Sequence, residues 1–476
     1  MRLALVLTSV AVAVGLTTAP ATALATGDDT IGAPGVGDPY YPLDGNGGFD
    51  VAHYDLRLNY QPDTDELWGT TTIRATTTQR LSRFNLDFLL TPSSVRVNGA
   101  PAGFVSSDDG ELVVTPARTL GAGRPMTVTV TYRDHPDRYQ RYGEDPWRPD
   151  GDAILIARQP HMAPWWYPSN DHPSDKATYD IAMTVPDGLE VVSTGLPVAT
   201  TPRPDGRTRW HWRSTHPQGT YQTGLVIDDF DVETSTTPSG LPVINAYATD
   251  AANQETARAV LGRTPEFIAF LESRFGPYPF ESTGAVLATQ NAALEVQTRP
   301  FINQIVFGED SLLDPVVVMV HEYAHMWFGN SVSMRDWRDF WLSEGFATYA
   351  EWLWLEDTGE STAQAQAKRR YDQYPADHAI WQVPVAEPGR FDGPSIGAVY
   401  YRGGMVLHAL RVEVGDDTFL TILRDWARSR AGGYGDTAEF TAHAERIAGR
   451  DLSAVWDAWL YSTGKPPAPP AGPAGT

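Results

Sequence analysis

Hydrophobic and polar positions alternate with a period of two through the first half of the chain and recur at helical spacing through the second. Residues 53–60 alternate in this way, as do 70–76 and 126–132, with turn-forming residues between them, and strand-like patterning continues through 178–185 and 219–229. Side chains of a strand point to opposite faces in turn, so each run offers one face to a core, which predicts an antiparallel β domain. Beyond residue 241 the period changes. Residues 254–275, 315–328, 346–356 and 404–414 carry apolar side chains at helical spacing, and predict a mainly helical second half. Pro238-Ser239-Gly240, between two strand-like stretches, marks the division.

These patterns divide the chain at 1–25, 26–46, 47–237, 238–462 and 463–476. Met1-Arg2, an apolar stretch over residues 3–16 and Ala23-Leu24-Ala25 have the charged start, apolar middle and small-residue end of a secretory signal peptide, with cleavage after Ala25. That predicts export and a mature chain without a transmembrane segment. Gly, Pro and Asp crowd residues 28–46, which reads as a flexible lead-in, with regular structure starting near Val51. The run from Lys465 through Pro470 reads as an extended, Pro-rich tail.

At 476 residues, 42% of them hydrophobic, the chain exceeds one ordinary core and is not disordered. The formal net charge of -23 argues against nucleic acid as a partner, because phosphate binding needs a basic face. Cysteine is absent. Disulfides are thereby excluded, and a metal site must draw on histidine and carboxylates.

Such a set is present. His321-Glu322-Tyr323-Ala324-His325 is followed, after a gap of 18 residues, by Glu344. On a helix over residues 313–330 the i,i+4 spacing puts both imidazoles on one face, close enough to share one zinc ion, with Glu322 beside them as a general base. Glu344 sits at the start of a second helical run, with Ser343 as a candidate cap, and can supply the third ligand. The apolar run over residues 316–320 marks the first helix as buried, and buried histidines need partners. Glu351, two helical turns beyond Glu344, is placed to orient a ligand histidine from behind. Trp327, Trp337, Trp341, Trp352 and Trp354 read as core.

The stretch from His321 through Gly329-Asn330 to Trp341-Leu342-Ser343-Glu344-Gly345-Phe346-Ala347 resembles the aminopeptidase N family of gluzincin metallopeptidases, in a short two-domain form. The resemblance implies an N-terminal all-β saddle or sandwich domain followed by a mainly helical α+β, thermolysin-like catalytic domain. It also implies further site residues. The family's amine-recognition motif, Gly-Ala-Met-Glu-Asn, falls at Ala292-Ala293-Leu294-Glu295-Val296; Ala293 and Glu295 are retained, and Glu295 would bind the substrate's free α-amine. Tyr400-Tyr401-Arg402-Gly403 matches the family's tyrosine, basic residue and glycine, with arginine for the usual lysine, and Tyr400 would donate to the oxyanion. Asn170-Asp171-His172-Pro173 fixes a register in which Gln159 would help to bind the amine.

The combined expectation is a secreted zinc aminopeptidase acting on peptides with a free N-terminus. The altered amine motif keeps a secreted metallo-endopeptidase open as an alternative, and a non-catalytic, metal-stabilised binding protein stands behind both.

Overall fold

The computed structural model describes residues 30–290, 293–390 and 393–468. The strand Phe49–Gln61 forms the axis of the N-terminal half. Phe49 and Val51 are buried, and then Tyr54, Leu56, Leu58 and Tyr60, the phase changing at a register shift between Val51 and His53. A bulge of this kind turns the chain's apolar face without breaking the sheet. This strand pairs antiparallel with Glu66–Thr77 and parallel with Ala177–Pro186 inside an eight-stranded sheet. The parallel pair departs from the purely antiparallel expectation; the chain covers three-stranded and four-stranded sheets before or after returning, so its direction at the axis is set by the long connection. Residues 219–229 are not one strand. Thr220–Gln222 is a short helical turn, and the strand is Leu225–Asp228.

Residues 237–241, expected to divide the domains, form the turn of a hairpin. Phe230–Thr236 pairs antiparallel with Pro242–Ala248 and is the edge of a five-stranded sheet completed by Val286–Ala288, Phe301–Asn303 and Ala293–Leu294. The strand 230–236 therefore packs with the helical half, because backbone pairing, which turn composition does not reveal, decides its allegiance. The helical run 254–275 is two helices, Gln254–Leu261 and Thr264–Phe275. Pro265 opens the second, where its missing N–H costs nothing; inside a continuous helix it would remove a hydrogen bond.

The described part of the lead-in is packed against both halves. Ile31 bridges to Arg83, Asp44 and Asn46 are buried, and Asp38 accepts hydrogen bonds from the backbone of Tyr41 (2.8 Å) and of Trp337 (2.9 Å). Short carboxylates satisfy the backbone donors that made this Gly- and Pro-rich run look unstructured. The tail is likewise held as far as it is described, through Lys465 and Pro466. The signal-peptide segment, Ala292 and residues 469–476 lie outside the described residues. No helix among those described is long and apolar enough to cross a membrane.

Two cations, Arg299 buried and Lys176 half-buried, join the halves. Lys176 Nζ, on the β side, donates to the carbonyls of Asn330 (2.7 Å), Ser331 (2.9 Å) and Gly433 (3.2 Å). Arg299, on the helical side, donates to Ser193 and Gly195 across the interface and to Ile244. Converging carbonyl dipoles replace the water these cations lose on burial. The five tryptophans read as core, at 327, 337, 341, 352 and 354, are all buried.

Candidate active site

The histidine helix is Pro315–Ala324, opened by Asp314, whose carboxylate accepts from Val316 N (2.9 Å), with Pro315 at its first position. It ends earlier than the apolar pattern suggests. His325 is its C-cap, still in right-handed helical conformation, and the turn that follows bends at Gly329, whose φ is 117°. The two rings keep the expected proximity, with centroids 4.8 Å apart. Glu344 lies in the first turn of the helix Trp341–Asp357. Ser343 does not cap that helix; its Oγ lies 3.0 Å from His325 Nδ1 instead.

Glu344 Oε2 stands 3.2 Å from His321 Nε2 and 3.4 Å from His325 Nε2, and one ligand atom from each of the three residues lies within 4.8 Å of the others. Both rings turn Nε2 to the same point and are held from behind through Nδ1. His321 Nδ1 meets Glu351 Oε1 at 2.7 Å, and His325 Nδ1 meets the Phe328 carbonyl at 3.1 Å. An Nδ1–H that donates outward leaves the Nε2 lone pair pointing inward, which is the form that ligates a metal. Charge agrees. Against the cost of burial, Glu344 and Glu351 raise the pKa of His321, and Glu344 and Glu295 raise that of His325, while the same histidines hold Glu344 down at about 2. The pocket is short of positive charge, and its two imidazoles and one carboxylate fit a single zinc ion.

Glu322 shares the pocket wall, and burial raises its pKa above the ordinary carboxylate value, opposed by the two histidines. Glu295, just after the short strand Ala293–Leu294, is buried, and one oxygen lies within 4.8 Å of ligand atoms of Glu322 and His325. Burial is the main cause that pushes it up to about 7, with His325 opposing and Glu344 and Glu322 adding to the rise. Gln159 Nε2, from the β half, donates to Glu295 Oε1, and Asn330 Nδ2 donates to the Glu295 carbonyl (2.8 Å). Residues 136 positions apart in sequence thus share one corner.

Tyr400 comes from the π-helical turn Ala398–Arg402. Its ring stacks on His321, with centroids 5.7 Å apart and planes 6° apart. Burial and the charges of Glu344, Glu295 and Glu322 raise its pKa well above that of a free phenol, so it stays protonated and able to donate. Tyr401 turns away to stack on Tyr374 and lies under Arg370. All eight residues singled out in the sequence, His321, Glu322, His325, Glu344, Glu351, Glu295, Gln159 and Tyr400, are accounted for around this pocket. Sequence reasoning gave Ser343 a capping role in place of its contact with His325, and missed the Phe328 carbonyl behind His325 and Asn330 behind Glu295; the Gly329-Asn330 pair was the available signal. A cavity of about 630 Å³ lined by Phe275, Tyr278, Phe280, Trp327 and Arg424 holds none of the eight.

Residues 264–459 match the peptidase family M1 domain, and residues 51–222 match the peptidase M1 N-terminal domain. Endoplasmic reticulum aminopeptidase 1 of Homo sapiens is 25% identical over 399 residues, covering 77% of this chain and 42% of that protein. Aminopeptidase N of Streptomyces lividans is 26% identical over 323 residues, covering 63% of this chain and 36% of that protein. The chain thus spans less than half the length of these relatives. Among solved structures, an M1 zinc metallopeptidase from Deinococcus radiodurans is 30% identical with a TM-score of 0.82, covering 93% of this chain and 100% of that one. A mutant of an M1 zinc metallopeptidase from the same organism, bound to a Tyr-Ser-Ala substrate, is 30% identical with a TM-score of 0.81, covering 91% of this chain and 99% of that one.

Proposed function

Because the chain belongs to peptidase family M1, we propose that it is an exported zinc aminopeptidase that removes single residues from the N-termini of peptides. The observation that carries this reading is the corner made by Glu295 and Gln159 beside Glu322 and His325. A buried carboxylate that close to the metal ligands matches a substrate's α-ammonium and fixes its distance from the scissile bond. The aminopeptidases among its relatives, and the related structure with a bound tripeptide, support the same substrate class.

Zinc held by His321, His325 and Glu344 would supply Lewis acidity, polarising a carbonyl and acidifying water. Glu322 takes the proton of the attacking water and returns it to the leaving amine. Burial lifts its proton affinity above that of an ordinary carboxylate, which favours taking a proton from water. Tyr400 donates its phenolic hydrogen to the oxygen that becomes negative as the carbonyl carbon turns tetrahedral. Gln159, which donates to Glu295 through nitrogen, keeps its amide oxygen for the substrate ammonium. Glu351 holds the ring of His321 through Nδ1 and so fixes its tautomer.

Export rests on the N-terminal segment, with the chain cleaved after Ala25. N-terminal sequencing of protein recovered from the culture medium tests this; a retained Met1 would refute it. The activity is tested by mass spectrometry of one mixed-sequence peptide, with its amino terminus free or acetylated, with and without a zinc chelator. Stepwise shortening of the free peptide alone, abolished by the chelator, is expected. Equal internal cutting of both peptides would make the protein an endopeptidase, and no cleavage of either would count against catalysis.

A further inference from the structure

Arg402 is a fully buried cation with no carboxylate partner among the described residues. Its Nη1 donates to the carbonyls of Ile380 (3.1 Å) and Val383, and its Nη2 to those of Ser462 (3.1 Å) and Trp459 (3.4 Å). The guanidinium also lies 5.5 Å from the ring centre of Trp381. Two segments remote in sequence are therefore tied to a residue two positions after Tyr400. A planar fork can serve two such anchors at once, whereas an ammonium gathers its donors at a single point.

The chain then closes over this anchor. Gly464 N donates to the Trp381 carbonyl, Lys465 Nζ donates to the Tyr374 carbonyl (2.8 Å), and the Tyr371 hydroxyl donates to the Pro466 carbonyl (2.7 Å). Lys465 also lies 4.0 Å above the ring of Tyr371 and 5.4 Å from that of Trp381. On the other side of Arg402 is the π-helical turn that presents Tyr400 to His321. Such wide turns are rare and need support from their surroundings. Displacing the turn would shift the phenol while leaving the three ligand side chains, on two other elements, where they are.

We infer that Arg402, anchored by residues 459–466, is a positioning residue that sets the placement of the Tyr400 phenol against the reacting carbonyl. The inference rests on the reading of Tyr400 as the oxyanion donor. It gives the chain's last described residues a part in turnover.

The test is a double-mutant cycle on kcat and KM with a free-amine peptide, using Arg402→Met, Arg402→Lys, Lys465→Ala and Tyr400→Phe, each with zinc content and near-ultraviolet circular dichroism recorded. Arg402→Met is expected to lower kcat at least 10-fold with KM and zinc content unchanged, Arg402→Lys to restore part of the loss, and Lys465→Ala to lower kcat 2- to 5-fold. In the Tyr400→Phe background the Arg402 and Lys465 substitutions should have no further effect. Full additivity would overturn the inference and leave Arg402 a general stabilising residue, as would unchanged kcat in every Arg402 and Lys465 variant. If Arg402→Met does not fold, Lys465→Ala carries the same cycle. Unchanged kcat in Tyr400→Phe alone would instead refute the reading of Tyr400.

Discussion

Gly345 and Gly403 meet with their backbones in contact: a Cβ added to either would lie 2.9 Å from the Cα of the other. Glu344 precedes the first glycine, and the turn bearing Tyr400 precedes the second. The close crossing of the glutamate helix with Gly403–Val414 is what brings a metal ligand and a phenol into one pocket. Gly345→Ala should force the helices apart, cost about 1–3 kcal/mol of stability and lower kcat more than zinc content. Thermal unfolding beside metal analysis checks this; an alanine variant of full stability and turnover would refute the packing argument.

Glu322 lies beside the ligands without being one of the three whose atoms converge around Glu344. Glu322→Gln keeps the shape and removes the base. Zinc content should stay at wild-type level while kcat falls about 10²- to 10⁴-fold. Turnover near wild type would remove Glu322 from the proton transfer.

Glu351 holds His321 through Nδ1 at 2.7 Å. Glu351→Ala should weaken zinc binding by about 10- to 100-fold, and added zinc should restore most of the activity. Competition with a chelator of known affinity measures the shift. An unchanged zinc affinity would make the contact incidental.

Glu295 should govern selectivity for a free amino terminus. Glu295→Gln is expected to raise KM for free-amine peptides at least 10-fold and to narrow the gap between free and acetylated substrates. Preserved discrimination would assign amine recognition elsewhere.

His161 is enclosed with Asp44 as its partner and Glu144 at 3.5 Å. Burial works to lower its pKa, but the charge and hydrogen bond of Asp44 prevail and push it up to about 10 from an ordinary 6.5. Because the folded value lies above the unfolded one, the stabilisation is complete below pH 6.5 and is lost as pH rises through about 10. Wild type should therefore exceed His161→Asn in unfolding temperature by its full margin at pH 6, the two converging near pH 10. A margin constant over that range would mean that His161 is not the group responsible.

The sequence determined the chemistry and the order of the halves. His321, His325 and Glu344 were legible because i,i+4 spacing is a local property of a helix, and the period of the apolar positions is equally local. Local pattern also located the helices, although Pro265 divided one and Gly329 shortened another. Glu295, Tyr400 and Gln159 were found only through resemblance, since nothing in their own neighbourhoods marks them. What the tertiary structure alone decided depends on partners far apart in sequence: the strand 230–236 joins the helical half, Gln159 reaches Glu295 across the interface, and the residues beyond Trp459 close behind Arg402. The lead-in and tail looked unstructured for the same reason, because what holds them lies far off in sequence: Asp38 accepts from the backbone of Trp337, Lys465 donates to the Tyr374 carbonyl, and the Tyr371 hydroxyl donates to the Pro466 carbonyl.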